Sequence, residues 1–146
     1  MTKDGILETF SKRSTKILME EFALKTGVEE KDFGKIVLAI LSDCKWIDNW
    51  IYKKHLEKPL IDIADFYISK EKDSKGRPLN SVANFHLSNG ATADKKNINF
   101  LGNTSEKGLI DSCGIMVNYV YSQTWFQRVR ISFRSFLKID KDFETR

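Results

Sequence analysis

The sequence has little cysteine. Its two residues, Cys44 and Cys113, lie far apart without a Cys-x-x-Cys or Cys/His ligand spacing. That excludes a disulfide framework and a zinc site, and makes a reducing compartment the default. No uninterrupted apolar run reaches membrane-spanning length, and the segment after Met1 to Gly5 is broken by Lys12, Arg13 and Lys16. Neither a span nor a secretory leader is expected. The final residues, Glu144-Thr145-Arg146, do not match the Ser-Lys-Leu peroxisomal address. With every targeting signal lacking, the expectation is a soluble, cytoplasmic protein. Internal repeats are absent as well. Neither sign of charge dominates: 24 Lys and Arg against 20 Asp and Glu leave a net +4. That mild excess favours acidic partners without demanding nucleic acid. What is present, 41% hydrophobic and 30% charged residues over 146 positions, is an ordinary soluble composition. A single domain of this size, spanning residues 1–146, can bury about two thirds of its unfolded surface.

Apolar periodicity predicts mostly helix. Ile6, Leu7, Phe10, Ile17, Leu18, Phe22 and Leu24 recur at helical spacing up to a stop at Thr26-Gly27, giving one helix with a possible bend. The acidic run from Glu29 to Asp32 suits the first turn of a second helix, with Phe33, Ile36, Val37, Ile40 and Leu41 as its buried face. A short stripe, Trp46, Ile47, Trp50 and Ile51, ends near Lys53-Lys54-His55, and Pro59 then opens another helix over Leu60, Ile61, Ile63, Ala64 and Tyr67. Lys70 to Pro78 reads as a charged surface loop.

Beyond the loop the period changes. Val82, Asn84, His86 and Ser88 alternate with Ala83, Phe85 and Leu87, and Asn89-Gly90 follows, which predicts a strand, a type I′ turn and a returning strand over Lys95 to Leu101. Thr104-Ser105-Glu106 begins a helix carrying Leu109, Ile110, Cys113, Ile115, Met116 and Val117 and ending near Asn118-Tyr119. A basic amphipathic helix closes the chain, with Phe126, Val129, Phe133, Phe136 and Leu137 on one face and Arg130, Arg134 and Lys138 on another. The fold class expected is α+β, mainly helical with a small antiparallel sheet.

Taken as residues alone, few positions promise chemistry. A histidine such as His86 on an alternating strand is most often packed or solvent-facing. His55, beside two lysines at a helix end, reads as structural. Asn89-Gly90 is a turn requirement, and Lys107-Gly108 at a helix start is more often bland than an anion site. Cys113 among apolar neighbours suits a small buried hydrophobe. The basic, aromatic stretch from Trp125 to Lys138 supports a different class of function, a module binding nucleic acid or an anionic membrane surface. Solvated charge over a core stripe is the reading preferred to it.

Two longer stretches carry more. Leu79-Asn80-Ser81-Val82-Ala83-Asn84-Phe85-His86-Leu87-Ser88-Asn89-Gly90-Ala91 and the run from Asn103 through Gly108, Cys113-Gly114 and Asn118-Tyr119-Val120-Tyr121 resemble malonyl-CoA decarboxylase. Lys45-Trp46, Lys58-Pro59-Leu60 and Asp65-Phe66-Tyr67 are similar in order and spacing to the helices that precede these motifs in that family. The resemblance covers residues 33–121. It departs at Asn97-Ile98-Asn99-Phe100, where the family has Arg-Ile-Asn-Trp, at an insertion over Ala93 to Lys96, and after Ser122.

The resemblance implies the C-terminal half of a catalytic domain, with the fold of the second half of an N-acetyltransferase-like domain. It implies decarboxylation of malonyl-CoA to acetyl-CoA and CO2, with no metal or organic cofactor. That reaction leaves an enolate on the thioester, so it calls for oxyanion stabilisation and a proton delivered to the α-carbon. His86 matches the family's catalytic histidine, a proton donor, and Tyr121 matches a tyrosine beside the same pocket. The family pairs this histidine with a serine from an earlier segment, and Ser11 and Ser14 stand in no matching motif. The expectation is therefore a truncated or split form, weak or inactive alone. It would use malonyl-CoA when complemented by a separate N-terminal half, and its apolar faces would be able to drive self-association.

Overall fold

The structure, a computed structural model, describes residues 1–122 together with Gln127 and Arg130. The basic helix expected over Trp125 to Lys138 therefore lies outside the described residues, apart from these two positions. Among the described residues, six α-helices and four two-residue strands follow in order, besides two short 3-10 turns at Cys44–Asp48 and Lys95–Asn97: α1 Lys3–Glu8, α2 Lys12–Thr26, α3 Phe33–Ser42, α4 Trp50–Ser69, α5 Ser81–Ser88, β1 Ala91–Thr92, β2 Ile98–Asn99, α6 Glu106–Ser112, β3 Met116–Val117 and β4 Val120–Tyr121. The α+β, mainly helical class read from the sequence is the one observed.

Polar caps set most boundaries. The stretch expected as one helix is two, because the Ser11 side chain accepts from the Ser14 N–H and starts α2 afresh. Gly27, at φ 70°, ends α2 where Thr26-Gly27 predicted a stop. Asp32 caps α3 by accepting from the Lys35 N–H, so the acidic run precedes that helix and does not form its first turn. Pro59 does not open a helix either. It sits inside the 20-residue α4, which Asn49 caps through the N–H groups of Ile51 and Tyr52. Proline in mid-helix leaves the carbonyl four residues back without its N–H donor, yet Leu56, Pro59 and Leu60 are all buried. Packing of that face overrides the local cost.

The core lies between α2, α3 and α4, with α6 closing one side. Leu18 and Leu56 are wholly buried at its centre, and Phe10, Ile36, Val37, Ile40, Trp46, Tyr52, Leu60 and Leu109 surround them. Phe10 and Phe33 meet edge to face at 5.0 Å, a preferred aromatic arrangement.

The strands differ most from expectation. There is no hairpin over 82–101, because Val82 to Ser88 is helix. Two separate antiparallel pairs form instead: β1 with β4, Ala91 opposite Tyr121, and β2 with β3, Ile98 opposite Val117. The helix expected to run to Tyr119 ends as α6 at Cys113, φ 52°, followed by Gly114 at φ 76°. These two left-handed residues turn the chain so that 116–117 and 120–121 become strands. A Cβ added at Gly108, in the middle of α6, would lie 2.4 Å from Asn103 Cγ. The glycine is thus needed for close packing.

One polar tie holds the 93–96 insertion to the helical layer. Lys95 pairs with Asp62 of α4, and Lys58 reaches the same carboxylate at 2.6 Å. Burial by itself raises the Asp62 pKa, but the two ammonium groups outweigh it and hold the carboxyl below its ordinary value. A carboxyl whose pKa is lower folded than unfolded stabilises above the unfolded pKa and loses that contribution as pH falls through the folded one. Asp62→Asn is therefore expected to lower the melting temperature at pH 7. The gap from wild type should shrink as pH falls well below 3.8, the ordinary value for this group. Thermal melts of both proteins across that range check it.

Candidate active site

α5 forms because Asn80 caps it, its side chain accepting from the Ala83 N–H at 2.9 Å. Its inner face keeps helical spacing: Ala83 is fully buried and His86 and Leu87 half-buried, whereas Val82 and Phe85 are 54% and 63% exposed. An alternating strand would have put Ala83, Phe85 and Leu87 on one side. His86 therefore sits on a helix, not in the antiparallel sheet where the sequence pattern put it. Asn89, at φ −92°, terminates α5, and Gly90, at φ 89°, reverses the chain into β1. The Asn-Gly signal thus ends a helix, since a type I′ turn needs positive φ at both residues.

Pairing of β1 with β4 then brings Tyr121 back to the helix it left. Nδ1 of His86 and the hydroxyl of Tyr121, 35 residues apart in sequence, share a short hydrogen bond. Tyr119, on the same side of the extended segment two residues earlier, stacks its ring on the imidazole at 4.4 Å and 16°. Phe85 meets His86 edge-on at 5.1 Å. The imidazole is held on one face by an aromatic ring and at one nitrogen by a phenol.

Tyr119 also lines a cleft of ≈560 Å³ whose walls include Leu60, Ile63 and Ala64 of α4, Val82 of α5 and Cys113. Burial raises the Tyr119 phenol above its ordinary pKa, keeping it neutral. The site thus joins a half-buried histidine with a fixed ring orientation to an apolar cleft, a combination suited to proton transfer beside an apolar ligand.

The other positions singled out in the sequence do not converge here. His55 lies within α4 and meets Ser14 at 2.9 Å. Lys107 pairs with Asp111 at 3.2 Å. Cys113 is half-buried with its thiol pushed up by burial, as suits a small hydrophobe. Among the described residues, no group of three His, Cys, Asp or Glu side chains stands close enough to hold a metal ion. No described helix is long and apolar enough to cross a membrane. Tyr119 is the site residue that sequence reasoning missed, because it was read as a helix end. The signal was the Tyr119-Val120-Tyr121 spacing, which in an extended chain puts both phenols on one face.

The stacking has a checkable consequence. Tyr119→Leu should abolish the ring-current shift of the His86 imidazole protons in NMR spectra and destabilise the fold by about 0.5–1.5 kcal/mol beyond the area lost. Tyr119→Phe should leave both near wild type.

Fold and site together define a helical α+β domain with a histidine and two tyrosines gathered where a helix meets a short sheet. Residues 10–135 match the family described as malonyl-CoA decarboxylase C-terminal domain. The mitochondrial malonyl-CoA decarboxylase of Anser anser anser is 43% identical over 94 residues, 64% of this chain and 18% of that protein. The Mus musculus enzyme is 43% identical over 81 residues, 56% of this chain and 16% of its own length. The crystal structure of malonyl-CoA decarboxylase from Rhodopseudomonas palustris aligns with TM-score 0.55 and 32% identity, covering 78% of this chain and 26% of that one. The chain belongs to the malonyl-CoA decarboxylase C-terminal domain family, and it spans less than a fifth of the length of these curated relatives.

Proposed function

We propose that this chain is one part of a malonyl-CoA decarboxylase catalytic domain, in which His86 and Tyr121 act on malonyl-CoA together with a serine-bearing segment that residues 1–146 do not contain. The hydrogen bond between His86 Nδ1 and Tyr121 carries the reading. With the phenol O–H donating to Nδ1, a ring proton resides on Nε2. Loss of CO2 from the malonyl group leaves an enolate; Nε2–H delivers its proton to the α-carbon while Nδ1 takes the Tyr121 hydroxyl proton, which solvent then restores to the phenol. Tyr119 keeps the ring plane fixed during that transfer, and the apolar cleft beside it favours the less charged product. No metal or organic cofactor takes part.

Residues 1–146 act in this reading as a single, partial domain. Two observations support it: the coverage of 26% of the solved relative, and the engagement of Ser14 with His55 and not with His86. The exposed Val82, Phe85 and Val120 around the site are apolar surface for the complementing segment, or for a second copy in its absence. Cytoplasmic residence belongs to the same proposal, although the animal relatives are named mitochondrial. Size-exclusion chromatography of the chain mixed with the N-terminal portion of a family relative tests the assembly. Co-elution at equal stoichiometry is expected, and separate elution of two unaltered peaks would contradict the complementation.

A further inference from the structure

Away from the His86 site, a second pair of side chains is arranged for chemistry. Ser14 stands in the first turn of α2, with its Oγ 2.9 Å from Nδ1 of His55 on α4. Both are half-buried, and both line a small cleft of ≈230 Å³ with Glu8, Thr9, Lys54 and Lys58. Helical serine and threonine hydroxyls commonly return to a carbonyl one turn back, as Thr15 does to Ser11 at 2.9 Å and Ser42 to Leu38 at 2.6 Å. Ser14 instead directs its hydroxyl to the imidazole.

The charges around the pair keep the ring a base. Burial lowers the His55 pKa, and the neighbouring Lys54 and Arg13 cations lower it further. The imidazole is therefore neutral at pH 7, and Nδ1 accepts from the Ser14 O–H. The backbone N–H groups of Lys12 and Arg13, at the start of α2, have no acceptor within the helix and point positive potential towards the same end.

We infer that Ser14 and His55 form a nucleophile and general-base pair acting on small, activated acyl esters that carry a negative charge. Oγ of Ser14 bonds to the acyl carbonyl carbon while its proton passes to Nδ1 of His55. The tetrahedral intermediate collapses by breaking the bond to the leaving oxygen, which takes the proton from His55. Water then adds to the acyl-serine, one of its protons returns through His55 to Ser14 Oγ, and the free carboxylic acid departs. Lys54 attracts the anionic end of the substrate, opposed in part by the Glu8 carboxylate lining the same cleft, while Lys58 is paired with Asp62. This activity is independent of the decarboxylase reading.

The test uses the full chain and mono-4-nitrophenyl succinate, with nitrophenolate release followed by absorbance and the acyl adduct by intact mass. Wild type should release nitrophenolate faster than buffer and show a succinyl adduct on the peptide containing Ser14. Ser14→Ala and His55→Gln should each lower the rate by about 10²-fold or more, with melting curves like wild type. His55→Gln keeps a polar partner for Ser14, so it reads base catalysis even if Ser14→Ala folds poorly. The wild-type rate should fall with pH through a midpoint below 6.5, the ordinary histidine value, as His55 protonates among Arg13, Lys54, Lys58 and Glu8. A wild-type rate equal to buffer, or a rate unchanged in either variant, overturns the inference. So does a rate lost in His86→Ala and kept in Ser14→Ala.

Discussion

His86→Ala is expected to lower acetyl-CoA formation by the complemented protein about 10²–10⁴-fold, the range for removing a positioned proton donor. The ring is joined to Tyr121 by a hydrogen bond and to Tyr119 by stacking, so its removal takes away the positioned proton donor. Tyr121→Phe should fall between wild type and His86→Ala. It removes the phenol that fixes the imidazole tautomer but leaves Nε2 in place. Steady-state assays of the three proteins at saturating malonyl-CoA separate these outcomes. His86 is half-buried and outside the core cluster, so folding should survive the change and the loss should appear in kcat.

Leu56→Ala acts on the other end of the account, the packing that presents the site. Leu56 is 0% exposed and belongs to the face of α4 that covers α2. Truncating a wholly buried leucine removes its transfer free energy and leaves a cavity, together about 2–5 kcal/mol. That is a large share of the stability of a domain this size, about 5–15 kcal/mol. Urea unfolding should show the loss as a lowered midpoint at nearly unchanged slope. Leu38→Ala, by contrast, changes a side chain that is 68% exposed and should move the midpoint little.

The pattern of success follows from which force dominates each element. The core helices were legible because long apolar periods and a Gly27 stop agree with the packing that forms. Pro59 misled because a local rule about proline was outweighed by burial on both sides of it. The stretch from Val82 to Ser88 misled for a different reason. Over seven residues, alternation and helical spacing share several positions, and the Asn80 cap that decides between them lies just outside the alternating run. Gly114 was the missed signal for the end of α6, since the apolar residues Ile115 to Val117 continue the helical count past it. The His86–Tyr121 pair came from resemblance to a family, not from periodicity. Its partner Tyr119 needed the strand that only tertiary pairing of β1 with β4 creates.

The most direct test of the central reading is formation of acetyl-CoA from malonyl-CoA, followed by mass spectrometry, for the chain alone and for the chain mixed with the serine-bearing N-terminal portion of a family relative. The expected result is no product above background alone, product on mixing, and its loss when the chain carries His86→Ala. Product from the chain alone would contradict the need for a second segment. Product on mixing that survives His86→Ala would contradict the assignment of the site.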